Sequence, residues 1–260
     1  MNIKKYKKHI LLFLLILICF GLIMYFNRKN IDIYLLPPSY YSNNIYGNDF
    51  INILKKYGNV INMSYPNDAF DIDEFTDSIS NSINNSNNKC ILVGWSIGTL
   101  ISNIIASKCN NLIGMLFISY SCNGQVTEKA KNIGIKISKT QDIQNKIKFI
   151  NELMFPPNYN LSNNISNKLK INLLDNKEQN NLGISIGKWI DKHPNGICKL
   201  YDIPVFIIYG QYDITYKPPN KEICNKYNCN EIKNAGHGIL LSHHDKVLKW
   251  LNNSLNKLIK

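Results

Sequence analysis

Short apolar runs alternate with longer amphipathic stretches from residue 31 to the end of the 260-residue chain. Several runs are apolar without interruption, which is typical of strands buried on both faces of a sheet. Strands separated by helix-length segments favour an α/β fold, a mostly parallel sheet flanked by helices. The pattern predicts strands at 31–36, 59–63, 90–94, 113–119, 204–210 and 229–233, and helices at 47–56, 71–84, 96–107 and 244–258.

Residues 121–200 interrupt this alternation. They are rich in Asn, Lys and Ile, and they contain helix-like segments but no convincing strand. Such a stretch is too long to be a loop in a compact domain. We therefore expect a small helical cap, inserted over one end of the sheet within a single domain at 30–260.

Residues 1–29 differ from the rest, because an unbroken apolar run at 10–26 lies between basic flanks. The run is at the lower length limit for crossing a bilayer. The stronger positive flank comes first, so the N-terminus is expected in the cytosol and the domain beyond the membrane. We predict one transmembrane helix acting as a signal-anchor, with a cleaved signal peptide and secretion as the alternative. The basic residues are Lys4, Lys5, Lys7 and Lys8 before the run, and Arg28 and Lys29 after it.

The net charge is +12, but the lysines are scattered rather than clustered, so we expect a solvated surface and no nucleic-acid partner. Six cysteines follow the apolar run, a number compatible with disulfides, although no spacing specifies their pairing. No cysteine pair has zinc-ribbon spacing, and the histidines do not complete a site. The sequence therefore predicts no metal and no organic cofactor.

A serine flanked by glycines lies in "VGWSIGTL", residues 93–100. A strand is predicted before Ser96 and a helix after it, which is the context of a nucleophile elbow. Gly94 and Gly98 would let the strand and the helix pack closely. At the start of a helix, the backbone N–H of Ile97 would point toward an oxyanion.

A serine nucleophile needs a base, and the base needs an orienting acceptor. Asp213 follows the strand predicted at 204–210, at the carboxyl end where ligand-binding loops of such sheets collect. His237 lies between glycines in "NAGHG". His243 and His244 are rival bases, but both are expected near the start of the last helix. The chain order Ser, Asp, His is the one used by elbow-type hydrolases.

The segments "LVGWSIGT", "PVFIIYGQYD" and "NAGHGILL" resemble the three signature segments of the α/β-hydrolase superfamily, in its lipase, esterase and proline-iminopeptidase-like branch. The resemblance spans about 31–258 and is thinnest in the insertion, which would correspond to a variable cap. It implies that Ser96 is the nucleophile, His237 the general base and then acid, and Asp213 the orienting carboxylate, with Ile97 giving one oxyanion N–H.

The implied activity is cofactor-free hydrolysis of an ester-like bond through an acyl-serine. A lipid or small acyl ester is the favoured substrate because the domain would begin close to the membrane. A peptidase or thioesterase is the less favoured reading. The sequence indicates neither the acyl specificity nor the oligomeric state.

The segment "LLPPSYY" departs from the family, which usually has His-Gly after its first core strand. Pro37 and Pro38 have no N–H to donate. Ser39 is the first residue that could supply the second oxyanion donor, and Tyr40 is the next. The alternative hypothesis is a catalytically impaired binding or structural module at a membrane.

Overall fold

The structure is a computed structural model, and it describes residues 13–19, 30–173 and 175–259. Most of the apolar run at 10–26 therefore lies outside the described residues. The part that is described, residues 13–19, is helical, and its apolar side chains are exposed. Within the described ranges, no helix combines the length and the apolar character needed to cross a membrane.

Six strands form one sheet in the order β2-β1-β3-β4-β5-β6. Every neighbouring pair is parallel, so the carboxyl ends of all six strands meet at one edge. The predicted α/β class with a mostly parallel sheet is confirmed. The strands are β1 (Ile31–Leu36), β2 (Asn59–Asn62), β3 (Lys89–Trp95), β4 (Leu112–Ile118), β5 (Val205–Gly210) and β6 (Asn228–Ile232).

Ten α-helices follow residue 30 in the part of the chain that the structure describes. They are α1 (Asn48–Lys55), α2 (Ile72–Asn85), α3 (Ile97–Ala106), α4 (Glu128–Lys139), α5 (Ile143–Met154), α6 (Asn163–Asn172), α7 (Asn176–Lys192), α8 (Lys221–Lys226), α9 (Ile239–Ser242) and α10 (His244–Leu258). The insertion at 121–200 thus consists of four helices, α4 to α7, which lie between β4 and β5.

The pleat of the sheet divides the core into two clusters. In β1, Ile33 and Leu35 face one cluster together with α1 and α10, whereas Tyr34 and Leu36 face the other together with α2 and α3. Both sets are nearly inaccessible to water. The continuous apolar pattern of the strands is therefore explained by burial on both faces.

The inserted helices begin at side-chain caps that the sequence encodes locally. Thr127, Asp142, Ser162 and Asp175 each accept a hydrogen bond from a backbone N–H of the first turn. Such caps bind N–H groups that have no partner within the helix, and each typically stabilises the fold by about 1 kcal/mol. Apolar faces of α4 and α5 then pack into the α1/α10 cluster, and Trp189 of α7 packs into the other.

Two disulfides hold the loops beside this insertion. Cys122 and Cys198 lie at its two ends, with Cα atoms 4.9 Å apart and a sequence separation of 76. Cys224 and Cys229 are joined across a separation of only 5. The first disulfide therefore closes the base of the cap, while the second closes a small loop between α8 and β6.

We expect the two disulfides to contribute unequally to stability. A cross-link restricts the unfolded chain more when it closes a longer loop. Replacing Cys122 and Cys198 together by Ser should lower the free energy of unfolding by about 4 kcal/mol, against about 2 kcal/mol for Cys224 and Cys229 together. Denaturant unfolding of the oxidised proteins measures both losses. Equal losses would contradict the assignment of the long-range bridge to the cap.

Candidate active site

Ser96 lies at a sharp turn between β3 and α3. Its backbone has φ 58° and ψ −120°, a conformation that non-glycine residues rarely adopt. The turn leaves Ser96 only 3% exposed, at the carboxyl edge of the sheet. A strained, positive-φ serine at this position is the geometry of a nucleophile elbow.

The glycines on either side of Ser96 are required by close backbone contacts. A Cβ atom on Gly94 would lie 2.5 Å from the carbonyl oxygen of Gly98, and a Cβ on Gly98 would lie 2.5 Å from that of Leu36. Neither neighbour is a flexible side chain that can move aside. The first turn of α3 therefore packs directly on the ends of β1 and β3, which places Ser96 in its strained conformation.

The structure brings the three predicted triad residues together. His237 Nε2 lies 2.8 Å from Ser96 Oγ, and His237 Nδ1 lies 2.8 Å from Asp213 Oδ2. The side chains of His237 and Asp213 are only 6% and 4% exposed. Because an ionised carboxylate can only accept, the Nδ1 proton points to Asp213, and Nε2 is left to accept the serine proton.

Asp213 is held by the loop that follows β5. Its second oxygen, Oδ1, accepts the backbone N–H groups of Thr215 at 2.8 Å and Tyr216 at 3.2 Å. These bonds leave Oδ2 free for His237. The carboxylate is thus oriented before any substrate binds.

His237 is held through its main chain by residues that the sequence analysis did not assign to the site. Ser119 Oγ donates to the His237 carbonyl at 2.9 Å, and Trp95 Nε1 donates to the same oxygen at 3.4 Å. Ser119 itself has φ 52°, at the end of β4. Positive φ cannot be read from one sequence, so Ser119 carried no local signal.

The histidine loop also contacts the cap. The N–H of Gly238 donates to the carbonyl of Met154, the last residue of α5, at 2.6 Å. A Cβ on Gly236 would lie 2.7 Å from that same oxygen. The glycines around His237 therefore permit close packing against the end of α5.

The rival histidines lie elsewhere. His243 Nδ1 contacts the hydroxyl of Ser242, and His244 Nε2 lies 3.8 Å from Asp49 on α1. His244 is the first residue of α10, as expected. Neither has a described hydrogen bond to Ser96 or Asp213.

The two predicted oxyanion donors belong to different segments, the start of α3 and the loop after β1. Ile97 is the first residue of α3, where a backbone N–H has no acceptor within the helix. Ser39 lines the same cavity as Ser96. The turn before Ser39 is fixed by two tyrosines, since Tyr46 donates to the Leu36 carbonyl and Tyr65 to the Pro37 carbonyl, both at 2.7 Å.

A small, mostly apolar cavity of about 140 Å³ opens onto Ser96 and His237. It is lined by the loop after β1, by Thr215 and Tyr216, and by residues of the cap, most of them on α4 and α5. The residues from the cap are Val126, Ala130, Lys131, Gly134, Ile150, Leu153 and Met154. Among the described residues, no group of three or more His, Cys, Asp or Glu side chains could hold a metal ion.

Solved structures of several hydrolases resemble this chain along most of its length. A thermophilic esterase from Thermogutta terrifontis superposes with a TM-score of 0.64 at 14% identity, covering 89% of this chain and 92% of the esterase. A carboxylesterase from Nitrososphaera gargenis gives a TM-score of 0.65 at 14% identity, with coverages of 89% and 92%. MenH from S. aureus gives 0.63 at 14% identity, with coverages of 89% and 96%.

No protein-family model and no curated protein matches the sequence itself. The similarity to solved structures is therefore a similarity of fold, and it covers 89% of this chain in each of the three cases. The chain has the fold of the α/β-hydrolase superfamily, the superfamily that its three sequence segments resemble.

Proposed function

We propose that this protein is a membrane-anchored serine hydrolase that cleaves a carboxylic ester through an acyl-serine intermediate. The observation that carries the proposal is the buried chain of hydrogen bonds from Ser96 to His237 to Asp213. A serine hydroxyl becomes a useful nucleophile when a base removes its proton, and this chain supplies that base already oriented.

The first half-reaction follows from these contacts. Ser96 Oγ attacks the ester carbonyl carbon while its proton passes to His237 Nε2. The N–H of Ile97, with that of Ser39, donates to the oxyanion that forms. The imidazolium then gives its proton to the leaving alkoxide, and the acyl-serine remains. Asp213 stays ionised throughout and stabilises the imidazolium.

The second half-reaction uses the same base. His237 takes a proton from water, the hydroxide attacks the acyl carbon, and the returned proton restores the Ser96 hydroxyl as the acid leaves. Every proton is accounted for by His237, so the reaction needs no metal or organic cofactor.

Replacing Ser96 by Ala tests the nucleophile. Hydrolysis of p-nitrophenyl butyrate should fall by about three orders of magnitude or more, because the remaining groups bind substrate but cannot form the acyl-enzyme. A fluorophosphonate probe should label the wild-type protein at Ser96 and leave the variant unlabelled. Matched thermal melts control for folding. A folded wild-type protein that neither hydrolyses the ester nor takes the label would favour the non-catalytic module.

The cavity beside Ser96 favours a short acyl group. An apolar cavity of about 150 Å³ holds benzene, which has six carbon atoms. A cavity of about 140 Å³ therefore suits an acyl chain of about four to six carbons. Of the two substrate types expected from the sequence, a small acyl ester fits this space better than a long-chain lipid ester.

Gly134 offers a direct test of this fit. It lies on α4 in the cavity wall, and a Cβ there would meet only the Tyr40 hydroxyl, at an ordinary 3.7 Å. Gly134→Leu should fill part of the cavity and lower kcat/KM for the hexanoyl ester by about tenfold or more relative to the acetyl ester. Gly183→Leu on α7 is the control, because nothing lies within 4 Å of a Cβ at that position.

The measurement is kcat/KM for p-nitrophenyl esters of increasing chain length. The wild-type protein should show a maximum at about four to six carbons. A maximum at ten carbons or more, or an unchanged profile in Gly134→Leu, would show that the acyl group lies elsewhere.

We further propose that the apolar run at 10–26 anchors the protein and that the domain lies outside the cytosol. The lysine excess before the run supports this orientation. The two disulfides support it as well, since such bonds persist mainly in oxidising compartments. The domain would then sit close to the bilayer, because β1 begins at Ile31.

Fractionation of the full-length protein tests the anchor and its orientation. The protein should remain with membranes after carbonate extraction. Its domain should resist protease added to the cytosolic side of sealed vesicles. Alkylation without reduction should leave Cys122, Cys198, Cys224 and Cys229 unmodified. Full-length protein in the soluble fraction would contradict the anchor, and cleavage of the domain from the cytosolic side would contradict the orientation.

A further inference from the structure

Tyr216 is a buried phenol in the wall of the active-site cavity, and the mechanism above gives it no task. It is only 6% exposed. Its ring packs edge-on against His237, with centroids 5.3 Å apart and an interplanar angle of 70°. It lines the same cavity as Ser96, Ser39 and His237.

The position of Tyr216 is fixed by the triad itself. Its backbone N–H donates to Asp213 Oδ1, while the other oxygen of that carboxylate accepts from His237. One carboxylate therefore orients both the base and the backbone that carries the phenol. The spacing between the phenol and the imidazole is thus preorganised.

The phenol keeps its proton under ordinary conditions. Burial raises the pKa of Tyr216 above its usual value. A neutral phenol is a hydrogen-bond donor. Tyr216 therefore offers a donor in the wall of the cavity that Ser96 also lines.

Tyr216 also shares its cavity with the loop after β1. Tyr40 contributes to the raised pKa of Tyr216, and Tyr216 in turn contributes to that of Tyr65, whose dominant cause is burial. Tyr65 in turn donates to the Pro37 carbonyl. Tyr216 and Pro38 line the same cavity, and neither Pro37 nor Pro38 offers an N–H there.

We propose that the Tyr216 hydroxyl donates a hydrogen bond to the oxyanion of the tetrahedral intermediate, as a side-chain donor in addition to the Ile97 and Ser39 amides. This inference rests on the proposed function. When Ser96 Oγ bonds to the carbonyl carbon, the oxyanion forms on that same carbon, inside the cavity that Tyr216 lines, and accepts the hydrogen bond of the phenol. No proton is transferred, so Tyr216 remains neutral in every step.

Tyr216→Phe tests the proposal, because it keeps the ring and removes only the hydroxyl. For p-nitrophenyl butyrate, kcat should fall by about a hundredfold, the typical loss for one oxyanion donor, while KM changes by less than about twofold. Tyr212→Phe is the matched control, since Tyr212 lies on the same loop but is 48% exposed. Its kcat should equal that of the wild type.

Binding of butaneboronic acid provides a second readout that merely structural packing would not move. The boronate forms a tetrahedral, anionic adduct with a serine, so Tyr216→Phe should weaken its inhibition by a factor similar to the loss in kcat. Thermal melts and near-ultraviolet circular dichroism check that each variant is folded.

The outcomes separate this inference from the proposed function. If the wild-type protein is inactive toward the ester and is not labelled by fluorophosphonate, the proposed function fails and the inference fails with it. If wild-type hydrolysis depends on Ser96 but Tyr216→Phe keeps kcat within threefold, only the inference is overturned. A rise in KM at unchanged kcat also overturns it, because the hydroxyl would then bind substrate rather than the oxyanion.

Discussion

The close contact between the first turn of α3 and the ends of β1 and β3 is the constraint on which the site depends. Gly94 and Gly98 have no room for a Cβ, because backbone carbonyls occupy that space. The chain can turn there only if Ser96 takes a positive φ, at a cost of about 1–3 kcal/mol. Burial of all ten residues of α3 offsets this cost. Packing of α3 thus stabilises the strained backbone conformation that places Ser96 in the active site.

The histidine depends on main-chain contacts from three separate parts of the fold. Ser119 at the end of β4 and Trp95 at the end of β3 donate to its carbonyl, and the Met154 carbonyl of the cap accepts from the N–H of the next residue, Gly238. Asp213 then fixes the ring itself. The loop is therefore held at its backbone and its side chain together, which suits a base whose position must be accurate to fractions of an ångström.

Local patterns predicted much of the fold. The bounds predicted for the strands differ from the observed ones by at most one residue, because both faces of most strands are buried and their apolar runs end where burial ends. The helix at His244–Leu258 was predicted with the bounds that the structure shows. The strand order and its parallel pairing throughout depend on contacts between distant segments, and the sequence predicted only that the sheet is mostly parallel.

For the candidate site as well, the sequence predicted the residues with a local pattern and missed those defined by distant contacts. Ser96, Asp213 and His237 each lie in a short segment whose residue pattern indicates a turn after a strand. All three were therefore predicted. Ser119 carries no such local pattern, since its role arises from a contact with His237, over a hundred positions away. The disulfide between Cys122 and Cys198 was not predicted either, because its pairing depends on how the cap folds back.

The bond between Gly238 and the cap has a consequence for which sequence changes the protein can accept. Its acceptor is a backbone carbonyl at the end of α5, and any amino acid at position 154 can provide one. Substitutions along α5 can therefore alter the shape and polarity of the cavity while the histidine loop keeps its support. An insertion or deletion in α5 is different, because it moves the helix end and removes the acceptor. New substrate preferences can therefore evolve through side-chain substitutions in α5, but not through changes in the length of α5.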